Sequence, residues 1–310
     1  MRRLTALNVI LLALIVVSGA AVRLTDSGLG CPEWPRCNPE DFVSVGSSSE
    51  AIEQLNRIFS GLIGIPILAT IVAAYRQRPR RTDLIVSGWA MLGLFLSNAI
   101  VGGISVQLEL AWFAVLGHFL LAIALLAVAL FAHKRAGEPP GPRRSVVHGV
   151  TLALAGAVYL LTLAALVLGT LVTAAGPHGG DEDAKRLGWQ IDDIARVHSL
   201  TVDTLIGCTV VLVLLLVRAR AQLPPATLTT ASFALATMVG QAILGYVQYA
   251  RGVPELLVGI HVAGAVTVFG AVQWLLLSLR VPVDSGATEA TVEPGELAVE
   301  FLRVPTGPAV

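Results

Sequence analysis

The stretch Trp112-Phe113-Ala114-Val115-Leu116-Gly117-His118-Phe119-Leu120-Leu121-Ala122-Ile123-Ala124-Leu125-Leu126-Ala127-Val128-Ala129-Leu130-Phe131-Ala132 carries one ionisable side chain and no alternation of polar and apolar residues. At a rise of about 1.5 Å per residue such a run spans the roughly 30 Å hydrocarbon core of a bilayer as one helix. A membrane-spanning strand would need polar residues at every second position, and none of that pattern is present. Seven further runs share this character, at about 4–22, 52–75, 84–106, 150–172, 194–217, 228–249 and 255–279. The composition agrees: 55% of the 310 residues are apolar, 14% are charged, and the mean hydropathy is +0.76. Twenty-one basic residues balance 21 acidic ones, so no net field attracts a nucleic acid. A disulfide-rich secreted domain and a disordered chain are excluded as well.

The expected fold is therefore an all-α integral membrane protein with eight transmembrane helices. Arg2-Arg3 before an apolar run also has the form of a signal peptide, but seven spans follow it, and it is read here as the first span. Basic residues set the orientation. Fourteen of them, including Arg76 to Arg81, Lys134, Arg135, Arg143 and Arg144, fall on the side that holds both termini, against five in the opposite loops. Both termini are expected in the cytoplasm, with the 23–51 and 173–193 segments facing outward. Residues 281–310 are polar, contain Pro and Gly, and are expected to be a disordered cytoplasmic tail.

The eight spans form two sets of four. Gly19-Ala20-Ala21-Val22 and Gly169-Thr170-Leu171-Val172 end the first and fifth spans; Ile100 to Ile104 and Ile243 to Val247 end the third and seventh. Polar residues fall in step: Asn56 and His198 begin the second and sixth spans, and His118 and His261 lie in the fourth and eighth. Four spans per half is an even number, so both halves point the same way, related by a pseudo-twofold along the membrane normal. The expected organisation is two parallel-repeat four-helix bundles, 1–145 and 146–280, each able to hold a cofactor between facing helices.

Of the six histidines, His133 and His148 lie among basic residues at cytoplasmic span ends and read as interfacial. His118 and His261 sit inside apolar spans, where an ionisable group usually faces the bundle interior with a partner. For either alone, a hydrogen-bonded core histidine is the plainer account. His261, roughly 9 Å deep at about 1.5 Å per residue, and His198 share one depth, with Gly207, Gly259 and Gly264 close in sequence. That pairing suits bis-histidine ligation of a haem. Zinc is the rival, and it usually takes three or four ligands. The first half has Asn56 in place of His198, which leaves His118 to hold a haem from one face. It alone carries Glu53, aligned with Ala195, and Glu53, Asn56 and Arg57 share a helix face. An ion pair between Glu53 and Arg57 at a helix start is the alternative. Cys208 reads as a packing residue, whereas Cys31 and Cys37, alone in an outward loop, read better as a disulfide than as a metal site.

The motif Arg23-Leu24-Thr25-Asp26-Ser27-Gly28-Leu29-Gly30-Cys31-Pro32-Glu33-Trp34-Pro35-Arg36-Cys37, with Glu53-x-x-Asn56-Arg57, Gly176-Pro177-His178-x-Gly180-Asp181, His198 and His261, resembles the haem A synthase family of cytochrome oxidase assembly. The resemblance covers residues 1 to about 280. It implies an oxidoreductase of the bacterial plasma membrane that converts the C8 methyl group of haem O to a formyl group, through an alcohol and a gem-diol. It further implies a substrate haem held by His118 in the first half, Glu53 as the essential acidic residue, and haem b on His198 and His261. Arg57 is then a partner for Glu53 or a haem propionate. Asn56 departs from the family pattern, which has a fourth histidine there. Expected partners are a haem O synthase, cytochrome oxidase assembly factors and membrane lipid, with no nucleic acid; no residue marks the electron donor. The alternative reading is a quinol-linked b-type electron-transfer cytochrome that does no chemistry on its haem; a transporter without a cofactor is a third.

Overall fold

A computed structural model describes residues 1–181 and 184–283. Its eight long helices are α1 (Arg2–Leu24), α2 (Ser48–Tyr75), α3 (Thr82–Gln107), α4 (Trp112–Ala136), α5 (Gly149–Ala175), α6 (Ile191–Arg218), α7 (Pro225–Ala250) and α8 (Glu255–Ser278). All eight are long and apolar enough to cross a membrane, and the chain is a multi-pass membrane protein. Each expected span lies within its helix to within a residue. The helices run a few residues further, because their ends continue into polar caps that hydropathy does not register. Helix α2 shows why: Ser47 and Glu50 form a reciprocal capping box four residues before the apolar run begins.

Within each set of four the helices pack as a ring. Helix α1 lies against α2 and α4, and α3 against both α2 and α4; α5 lies against α6 and α8, and α7 against both α6 and α8. The two rings meet through α1, α4, α5 and α8. One apolar core, built on Leu12, Ile63, Ile67, Met91, Ile123 and Leu126, takes in Phe269 of α8 and Leu166 of α5. A second, with Val158, Leu205, Leu212, Met238 and Leu275, lies in the other ring. The first core thus extends across the seam between the rings. Outward positions stay apolar, as at Ile65 and Leu160, 63% and 66% exposed, which is the surface lipid requires.

Two short strands, β1 (Arg143–Ser145) and β2 (Arg280–Pro282), pair antiparallel at the end that holds the N-terminus. Val281 and Pro282 were expected to open the disordered tail; instead they hydrogen-bond to the linker between α4 and α5, whose extended backbone supplies the matching donors and acceptors. Residues 284–310, the rest of that expected tail, lie outside the described residues. The same end holds a charged cluster in which Asp83 accepts from Arg81 (3.0 Å) and Arg135 (2.6 Å), tying the start of α3 to the end of α4.

Candidate functional site

At the other end, beneath the 25–47 and 176–190 loops, lies a cavity of about 1120 Å³ lined by residues of all eight helices. That exceeds the roughly 300–1,000 Å³ of common small-molecule sites. His118, His198 and His261 all border it, together with Glu53, Asn56 and Arg57. Each histidine sits six or seven residues inside its helix, counted from Trp112, Ile191 and Glu255. The three imidazoles therefore share a depth of roughly 10 Å at about 1.5 Å per residue.

A glycine on the neighbouring helix makes room for each ring. A Cβ placed on Gly102 of α3 would come within 2.8 Å of His118 Cε1; on Gly245 of α7, within 3.1 Å of His261 Cε1; on Gly169 of α5, within 3.2 Å of His198 Cε1. Sequence proximity pointed to other glycines. Gly207 has open space around it, Gly259 meets Leu24, and Gly264 admits the Gln241 carboxamide. The supporting glycine belongs to the adjacent helix, which proximity along one helix cannot reveal. The signal available in the sequence was the repeat, because Gly102 and Gly245 are offset by 143, as are His118 and His261.

Hydrogen bonding distinguishes the rings. His118 Nδ1 lies 3.1 Å from the Asn98 carbonyl, which fixes the ring orientation. His261 Nδ1 is buried without a partner, and its backbone carbonyl accepts from Gln241. His198 and His261 come from α6 and α8, which both pack against α5 and α7. Asn56 turns towards α1, with its Oδ1 2.8 Å from the Ser18 hydroxyl.

Glu53 is 5% exposed. One carboxylate oxygen accepts from the Cys31 amide at 2.8 Å and the other from Arg57 Nε at 3.0 Å. Arg57 donates further to Glu53 and to the carbonyls of Cys31, Glu33 and Arg36. Those five bonds use all five N–H groups of the guanidinium. The ion pair left open by the sequence does form, and it lies under the cysteine loop as the clamp that holds it. Cys31 and Cys37 are disulfide-bonded and fully buried. Gly103 receives the indole of Trp34 on its Cα face, so the loop also rests on α3, beside the glycine that carries His118. Trp34, Gly102, Gly169 and Gly245 entered the sequence reading only as members of a motif or of repeated stretches, with no role at the site.

The remaining histidines are accounted for by local contacts. His133 Nδ1 lies 3.1 Å from the Thr5 hydroxyl, His148 occupies the N-cap position of α5 without a side-chain cap bond, and His178 Nε2 donates to the Val253 carbonyl at 2.7 Å. Cys208 is a free thiol within α6. The outer loops are joined by a hydrogen bond from the Gly28 amide to the Gly180 carbonyl at 2.8 Å and by an ion pair between Lys185 and Glu109 at 2.9 Å. The hydrogen-bonded Lys185 ammonium holds the Glu109 carboxyl below the usual carboxylate range. Among the described residues, no three His, Cys, Asp or Glu side chains converge as a metal cluster, so zinc lacks the ligand set it usually takes. Imidazoles from three helices lining a large, mostly apolar cavity fit an iron porphyrin.

Comparison with known proteins agrees with the resemblance read from the motifs. A family model described as cytochrome oxidase assembly protein (COX15-CtaA) matches residues 2–51. Several curated haem A synthases are similar. The protein from Lysinibacillus sphaericus is 29% identical over 38% of this chain and 38% of its own length, and that from Geobacillus thermodenitrificans 34% identical over 37% and 36%. The chain thus matches little more than a third of the length of these two relatives. The similarity to the Rhizorhabdus wittichii protein runs almost end to end, with 26% identity over 91% of this chain and 92% of that one.

Proposed function

We propose that this chain, similar to one haem A synthase over nearly its whole length and to others over part of it, is itself a haem A synthase that oxidises the C8 methyl group of haem O to a formyl group. The observation that carries the reading is the cavity beneath the cysteine loop, bordered by His118, His198 and His261 and by a buried Glu53. In this reading, residues 1–145 form the catalytic half, with haem O bound as substrate on His118, and residues 146–280 form the haem b half. The repeated ring of helix contacts and the equal offsets of the two glycine–histidine pairs support a pseudo-twofold along the membrane normal. By the distribution of basic residues, both termini are cytoplasmic and the cavity lies towards the outer face.

His198 and His261 would hold haem b, which supplies one-electron transfer when bound. His118 positions the substrate, its ring fixed by the Asn98 carbonyl and by the flat face of Gly102. Glu53, ion-paired and buried, presents a fixed negative charge that favours positive charge developing at the methyl carbon. The Arg57 clamp and the Trp34 indole close the loop over this region and exclude water. A haem O synthase would supply the substrate and cytochrome oxidase assembly factors would receive the product, since neither haem is soluble enough to travel free.

The test is pyridine haemochrome and chromatographic analysis of protein purified from cells that make haem O. Wild type is expected to carry haem B with haem A or its hydroxylated precursor, and Glu53→Gln to accumulate haem O at equal protein level. Haem B alone in both proteins would favour the electron-transfer cytochrome. Full haem A production by Glu53→Gln would remove Glu53 from the chemistry.

A further inference from the structure

Arg23 lies in the last turn of α1, beneath the junction of the two outer loops, and lines the cavity. Its NH2 donates to the His178 carbonyl at 3.0 Å. Its Nε–H is buried and has no hydrogen-bond partner, and Arg23 forms no ion pair among the described residues. A guanidinium has five donors in a rigid fork and stays charged, so burying one with unused donors beside a cavity is costly unless an anion completes it. Two other arginines line this end of the cavity: Arg57 cannot serve, because Glu53 and three loop carbonyls take all of its N–H groups, and Arg196 is exposed, so its charge does not need an anion from the cavity. The neighbouring cation Arg186 adds positive potential at Arg23. The cavity therefore joins an apolar body with three intrahelical imidazoles to a cation at its loop-covered rim, Arg23, that is buried with an unused donor.

We propose that Arg23 is the carboxylate anchor of this cavity and takes a propionate of the bound porphyrin by charge-assisted hydrogen bonds. The assignment rests on the haem reading and adds to it a binding residue and the chemical group it recognises. Planar, bidentate pairing with a carboxylate is what an arginine provides and a lysine does not. Anchoring from α1 has a further consequence. Leu24, the next residue, touches Gly259 of α8, so the anchor stands at the seam of the two rings and fixes the porphyrin edge relative to both.

Full-length apoprotein, purified in detergent from haem-deficient cells, would be titrated with ferric haem b and with its dimethyl ester, following the Soret band. Wild type should bind the free acid about ten-fold or more tightly than the ester, the scale of one charge-assisted hydrogen bond. Arg23→Leu should bind both alike with an unchanged Soret position, and Arg23→Lys should keep only part of the preference. Comparing acid with ester within each protein removes the greater lipid solubility of the ester, and the wild-type comparison needs no variant to fold. An undiminished acid preference in Arg23→Leu would overturn the anchor and leave the haem reading standing. Failure of wild type to bind haem b would overturn both.

Discussion

At the scale of the residue, His118, His198 and His261 are each held against a glycine of the adjacent helix, and the spaces differ. A methyl group on Gly102 would fall 2.8 Å from His118, closer than side chains tolerate, so the ring must shift. On Gly245 the distance is 3.1 Å, which the His261 ring can relieve by moving a few tenths of an ångström. Replacing Gly245 by alanine should therefore change the g-values of a low-spin haem on His198 and His261 without expelling it. Gly102→Ala should leave that signal intact and alter only haem bound through His118. Electron paramagnetic resonance of the two purified variants checks this, and identical spectra from both would contradict the division of ligands. The histidines were legible in the sequence because a titratable group inside an apolar span stands out. Their glycine supports were not, because glycine is common in such spans and only a neighbour's ring gives one of them a role.

At the scale of the element, the helix ends carry most of the polar structure. Asp83 opens α3 and accepts from Arg81 and from Arg135 of α4, and both arginines are buried, 8% and 6% exposed. Asp83→Ala would leave two buried guanidinium groups without that carboxylate. The loss should be about 3 kcal/mol, the scale of breaking a buried pair, read as a lower melting temperature in detergent with the haem spectrum unchanged. The opposite ends are built differently. Helix α2 begins with a capping box, and one turn on, Glu53 and Arg57 face the cysteine loop. An acid and a base four residues apart were plain in the sequence as a potential pair. That Arg57 also gathers the carbonyls of Cys31, Glu33 and Arg36 depended on how the loop folds back, and no spacing encodes that.

At the scale of the molecule, two rings of four helices share one cavity at one end and a charged cluster with a two-stranded sheet at the other. The charge distribution predicts cytoplasmic termini, and reporter fusions test that orientation. Alkaline phosphatase joined after residue 180 should be active, whereas a fusion after residue 283 should be inactive and fluorescent protein there should be bright. The reverse pattern would put the cavity on the cytoplasmic side. The sequence by itself determined the number of spans and the likeness to haem A synthases, and it pointed to a repeat and to a common depth for His198 and His261. Hydropathy, charge and motif spacing are local or periodic along the chain, so they are readable before it folds. Only the tertiary structure decided that the halves share an apolar core through Phe269, that Trp34 lies on Gly103, and that Arg57 is spent while Arg23 keeps an unused donor. Spans such as α4 and α8 are apolar on every side because lipid accepts any apolar face, so they lack the polar stripe that orients a helix in a soluble protein. Which face turns inward is then set by close packing between helices far apart in sequence, and that packing places each side chain at the cavity.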